Sequence, residues 1–94
     1  KLFENDFNVA LRDFNKHYKK NNYKKNIAEV LIEMIFQVGI KKQRRFYKMN
    51  SHLRKKNLFM AAFEMKNSLW YKQTPKRVNG LIDTLLKKEN DKQK

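Results

Sequence analysis

From Ile27 to Val38 the chain is apolar on nearly every side, through Ile27, Val30, Leu31, Met34, Ile35, Phe36 and Val38. A helix apolar all round is normally a buried one. Asn26-Ile27-Ala28-Glu29 supplies a start pattern, a capping Asn with a Glu three residues later. Gly39 supplies the stop. The pattern predicts a core helix over 26–38, and the rest of the chain has to be arranged around it.

The flanking segments also read as helical. Leu2, Phe3, Phe7, Ala10, Leu11 and Phe14 mark one apolar face over 2–14, the tail of a longer helix that begins before Lys1. Segment 15–25 is Asn, Lys and Tyr without a period and reads as a loop with at most one short turn. In 40–57, Phe46, Met49 and Leu53 suit short amphipathic helices. Leu58, Ala61, Ala62 and Met65 mark one face over 58–68. Thr74-Pro75 is a start signal, a capping Thr with Pro at the first helical position. Val78, Leu81, Ile82, Leu85 and Leu86 follow as the buried stripe of a last helix. The tail 88–94 is charged and expected to fray. Only two Gly and one Pro punctuate 94 residues, and no segment requires a strand. The expectation is a single all-α domain over 1–94, with a helical core over 26–87 and about five to seven helices around helix 26–38.

Composition narrows the chemistry. The chain has no Cys, which excludes disulfides and thiolate metal sites. His17 and His52 lie far apart without metal-ligand spacing, so no metal or cofactor is expected. No apolar run approaches the roughly 20 residues of a membrane span, and no signal-peptide pattern is present. Twenty-three Lys and Arg against nine Asp and Glu give a net charge of +14. A surface this basic adheres to polyanions such as nucleic acid, anionic lipid or an acidic cell wall. Lys41, Lys42, Arg44, Arg45, Lys48, Arg54, Lys55 and Lys56 are the candidate polyanion-binding set. A Lys- and Asn-rich composition arising from a biased genome is the competing explanation.

Two segments carry a resemblance: Met34-Ile35-Phe36-Gln37-Val38-Gly39, and Trp70-Tyr71-Lys72-Gln73-Thr74-Pro75-Lys76-Arg77. Together they resemble the C-terminal lobe of the phage-type lysozymes, muramidases that cut the glycan backbone of peptidoglycan. Leu2-Phe3, Asp6, Ala10 and Arg12 resemble the second half of that family's interlobe helix. Phe46, Leu53 and Ala61-Ala62 fall at the expected spacings. The resemblance implies that the catalytic Glu and its Asp partner stand on an N-terminal lobe upstream of this chain, and that this chain holds no catalytic residue. Phe36 and Gln37 would form part of the cleft wall. Arg77 would pair with the catalytic Glu, with Gln73 close by, and Asp6 would meet a basic residue of the other lobe. Glu64 stands where the family has a polar amide, and Met49 where it has a cleft Ser. Both departures put recognition of the peptide stem in doubt.

Each of these residues also has a plain structural reading. Trp70 suits a core, Thr74 and Pro75 a helix start, and Phe36 either core or cleft. Gln37 can cap a helix end, and Arg77 can be a solvated first-turn residue, although the helix dipole disfavours a cation there. Glu29 and Glu33 stand four apart on one face and read as a solvated pair rather than the two carboxyls that glycoside hydrolysis needs.

Two functions follow. The first is the substrate-holding lobe of a bacteriolytic, endolysin-like enzyme. It would be phage-encoded or phage-derived, act from the host cytoplasm on the cell wall or as a virion component, and have the missing lobe or a partner chain packed on Leu2, Phe3 and Phe7. The second is an inactive lysozyme-fold binding module or virion structural part, whose basic surface takes nucleic acid or a protein.

Overall fold

A computed structural model describes residues 7–87. The expectations placed on Leu2, Phe3, Asp6 and the tail 88–94 lie outside the described residues. Among the described residues seven α-helices follow one another: α1 (Phe7–Tyr18), α2 (Lys25–Val38), α3 (Ile40–Arg44), α4 (Tyr47–Arg54), α5 (Leu58–Lys66), α6 (Leu69–Gln73) and α7 (Pro75–Leu86). A single 3₁₀ turn, Lys19–Asn21, follows α1. No strand occurs among the described residues, so the chain is all-α, as its patterning predicts. Its contacts group into two compact units, 1–47 and 48–94.

In the first unit α1, α2 and α3 pack on one another. Helix α1 buries Ala10, Phe14 and Tyr18, one face at four-residue spacing. It thus runs to Tyr18 and enters the segment 15–25 that its sequence marks as loop. The reason is Tyr18 itself, which continues the buried stripe. Its hydroxyl donates to Gln43 Oε1 of α3 at 2.6 Å, and Gln43 is wholly buried. The ring of Tyr18 stands 6.0 Å from that of Phe14 and 6.4 Å from that of Tyr23. Asn22 then turns the chain with φ 55, a left-handed conformation that Asn tolerates better than most residues.

Helix α2 begins at Lys25, one residue before the expected capping Asn26. Its first turn closes when the Ala28 N–H donates to the Lys24 carbonyl at 2.9 Å. That places Asn26 inside the helix, where its side chain is past the capping position. Ile27, Val30, Leu31, Met34 and Ile35 are buried, while Ile32, Phe36 and Val38 are half-buried. Gly39 ends α2 with φ 89 and ψ 155, and its N–H donates to the Ile35 carbonyl at 2.8 Å. Its carbonyl accepts the Gln43 N–H at 3.0 Å and so opens α3. This region of backbone space is essentially restricted to glycine.

In the second unit α5, α6 and α7 pack on one another. Helix α4 buries Met49, Asn50 and Leu53. It ends with the Asn57 N–H donating to the His52 carbonyl (2.8 Å) and the Lys56 N–H to the Leu53 carbonyl (3.0 Å), with Lys56 at φ 61. This is the paired-bond helix ending that usually has Gly in the left-handed position. Asn57 also caps α5, its side chain accepting the Met60 N–H. Ser68 joins α5 to α6: its hydroxyl donates to the Met65 carbonyl at 2.7 Å and accepts the Tyr71 N–H at 3.1 Å. Pro75 takes the first position of α7 as expected, but Thr74 does not cap with its side chain. The Thr74 hydroxyl instead turns back and donates to the Trp70 carbonyl at 3.2 Å, serving the open end of α6. Val78, Ile82 and Leu85 are the buried stripe of α7, flanked by the half-buried Leu81 and Leu86.

The two glycines should respond oppositely to alanine. A Cβ at either meets nothing within 4 Å, so only the backbone decides. Gly39→Ala forces alanine to the positive φ and should cost about 1–3 kcal/mol. Gly80→Ala, inside α7, should gain about 0.5–1 kcal/mol. Urea unfolding of the two variants reads both, and equal effects would contradict the assigned backbone. Tyr18→Phe leaves the buried Gln43 carbonyl without its tyrosine donor and should cost about 1–3 kcal/mol in the same assay.

Candidate functional site

Phe36 and Gln37 occupy the last turn of α2, immediately ahead of the Gly39 stop. Both are half-buried. The Phe36 ring meets that of Phe7 edge-on, with centroids 6.0 Å apart and planes at 61°. That geometry holds the aromatic ring at the surface of the α1–α2 pair. Phe36 is therefore packed on one side and reaches solvent on the other.

Gln73 and Arg77 lie in the second unit, at the junction where α6 ends and α7 begins. Gln73 is the last residue of α6 and Arg77 the third of α7, and both are exposed. One Thr74 bond pair fixes the junction: backbone N–H and hydroxyl both donate to the Trp70 carbonyl. Trp70 beneath it is buried, as a core reading of that residue requires. Thr74, Pro75, Lys76 and Arg77 line an open surface depression at the start of α7. Lys76 belongs to this set although the sequence did not single it out; its only signal is its place beside Arg77.

The electrostatics of that junction are one-sided. The first-turn N–H groups of a helix carry partial positive charge. The first turn of α7 holds no acidic residue, and Lys76 and Arg77 add two cations. Among the described residues Arg77 has no carboxylate partner. A planar guanidinium held there can donate two parallel hydrogen bonds to a carboxylate.

Phe36 and Gln37 are neighbours on α2, and Gln73 and Arg77 are neighbours at the α6–α7 junction. The pairs sit on different units. The candidate polyanion-binding cations are divided in the same way: Lys41, Lys42, Arg44 and Arg45 on the first unit, Lys48, Arg54, Lys55 and Lys56 on the second, all exposed. Glu29 is exposed and Glu33 half-buried on α2, Glu64 is half-buried, and Met49 is buried at 1% exposure. Met49 is thus a core residue of α4, in keeping with its place beside Phe46 and Leu53 in the amphipathic pattern.

No family model matches the chain, and no solved structure does. Two curated proteins of Dictyostelium discoideum are similar. Probable T4-type lysozyme 2 is 36% identical over 85 residues, covering 86% of this chain and 50% of that protein. Probable T4-type lysozyme 1 is 33% identical over 88 residues, covering 89% of this chain and 52% of that protein. The chain spans about half the length of these relatives. Over the matched residues the chain is similar to a phage-type lysozyme-like C-terminal portion, and its described residues form helices joined by short turns, with no strand.

Proposed function

We propose that the chain is the substrate-holding lobe of a lysozyme that hydrolyses the glycan backbone of peptidoglycan, with the catalytic Glu on sequence outside these 94 residues. The observation that carries this reading is Arg77. It is exposed in the first turn of α7, lacks a carboxylate partner among the described residues, and belongs to the Trp70–Arg77 segment that most resembles the family. Glycoside hydrolysis uses two carboxyl groups flanking the scissile bond, one of them protonated at the working pH. Arg77 would hold the catalytic Glu in orientation, and its charge would keep the acidity of that Glu from falling too far. Gln73 would stand beside it, and Phe36 and Gln37 would form wall for the sugar chain. The other lobe would pack on α1 at the exposed Phe7, with Leu2 and Phe3 upstream. The net charge of +14 would draw such an enzyme to an anionic cell wall. Both relatives come from an amoeba, so the family resemblance does not make this a phage protein.

The test is lysis of purified peptidoglycan by the full-length protein. Arg77→Ala should lower turnover at least tenfold. It should also move the basic limb of the pH profile upward by about one unit, because removing a nearby cation raises a carboxyl pKa. Arg77→Lys should restore part of both. Turnover and profile unchanged from the parent would sink the role given to Arg77.

The exposed cations between Lys41 and Lys56 favour a second reading, a binding module without chemistry. That reading predicts binding of nucleic acid with affinity falling steeply as salt rises, since each neutralised phosphate releases a counterion. Affinity flat across salt would remove it.

A further inference from the structure

Helix α5 is apolar on both sides. Ala61, Ala62 and Met65 face inward and are buried, while Phe59 is 76% exposed, Phe63 54% and Met60 39%. Phe59 and Phe63 stand one turn apart, and Met60 lies three residues before Phe63, so the three share one outer surface. Lys66 follows Phe63 by three residues and Phe59 by seven, on the same side of the helix. Lys55 and Lys56 precede α5, and Leu69, 66% exposed, opens α6 just beyond its end. Apolar side chains exposed singly are ordinary, but a cluster on one helix face marks a contact surface.

We infer that the outer face of α5 is a docking surface for an anionic lipid bilayer. Charge selects the partner. Residues 48–87 carry nine Lys and Arg against two acids, Glu64 and Asp83. A second copy of the chain would bring Lys66 and its neighbours against like charge. A nucleic acid would suit the cations and could stack on two rings, but Met60 and Leu69 offer bases no π face. Aromatic and aliphatic side chains set beside lysines suit the surface of an anionic bilayer: the apolar groups enter the headgroup boundary and the cations stay with anionic headgroups. The lysine stems extend the apolar surface while their ammonium groups remain in water. No helix among the described residues is long and apolar enough to cross a membrane.

The experiment is co-sedimentation of the full chain with vesicles of phosphatidylcholine alone and of phosphatidylcholine with an equal part of phosphatidylglycerol. The wild-type chain should bind the anionic vesicles and leave the neutral ones. Phe59→Ser/Phe63→Ser should weaken that partition at least tenfold, with circular dichroism and thermal unfolding showing the fold retained. Phe59→Trp should bind as wild type and gain a blue-shifted emission on anionic vesicles only. No binding to anionic vesicles, or equal binding by the double-Ser variant, overturns the inference. So does a phenylalanine-dependent dimer, or phenylalanine-dependent binding to an oligonucleotide without binding to vesicles. None of these readouts involves peptidoglycan lysis, so this inference and the lytic reading fail separately.

Discussion

The backbone of Gly39 sets the arrangement of the first unit. At φ 89 and ψ 155 its N–H closes α2 on Ile35 and its carbonyl opens α3 on Gln43. The register of α3 follows, with Gln43 as its buried residue and Lys41, Lys42 and Arg44 exposed. Because Gln43 is inside, its side-chain carbonyl is in reach of the Tyr18 hydroxyl, and that bond draws the end of α1 onto α3. The same stop fixes where the last turn of α2 presents Phe36 and Gln37. A change in one pair of dihedral angles would therefore alter a helix ending, a buried polar bond and half of the candidate site together.

The second organising pressure is charge. A net +14 on 94 residues repels itself in any compact state, and the helices respond by turning their cations outward. Short helices suit this, since α3 and α6 bury one side chain each and α4 and α5 three each. Where α4 ends, the chain accepts Lys56 in a left-handed conformation that costs a non-glycine residue roughly 1 kcal/mol. The two hydrogen bonds of the helix ending, and the Asn57 cap that follows at once, offset it. The outer face of α5 departs from this scheme, because there exposed apolar side chains lie beside the cations.

What could be read from the sequence was local. The stop at Gly39, the start at Pro75 and the inward faces of α2, α5 and α7 each follow from a few neighbouring residues, and each is present. What could not be read depends on partners distant in sequence or on competition between partners. The extension of α1 to Tyr18 needs Gln43, 25 residues away. Asn26 and Thr74 have capping chemistry, but a first turn closing on Lys24, two residues early, bypasses the first, and the open end of α6 takes the hydroxyl of the second. Asn57 and Ser68 do cap, a role the patterning assigned to neither, and the Ser68 cap starts α6, which the patterning did not set apart. For the site, resemblance supplied the residues Phe36, Gln37, Gln73 and Arg77. It could not supply their settings, such as the edge-on contact of Phe36 with Phe7 or the lack of a carboxylate partner for Arg77 among the described residues.

That last setting bears on chemistry. An arginine in the first turn of a helix works against the helix dipole by about 0.3–1 kcal/mol, and Lys76 beside it adds repulsion. Stability alone gives no reason to keep both cations at α7. Trp70, Thr74 and Pro75 already define the junction through burial, backbone bonds and a fixed φ. A carboxylate approaching the depression would reverse the sign of every term, meeting the helix N-terminus, the guanidinium and the ammonium at once. On the reading proposed for Arg77, an anionic group is what this junction would receive, since the helix N-terminus, the guanidinium and the ammonium all favour it.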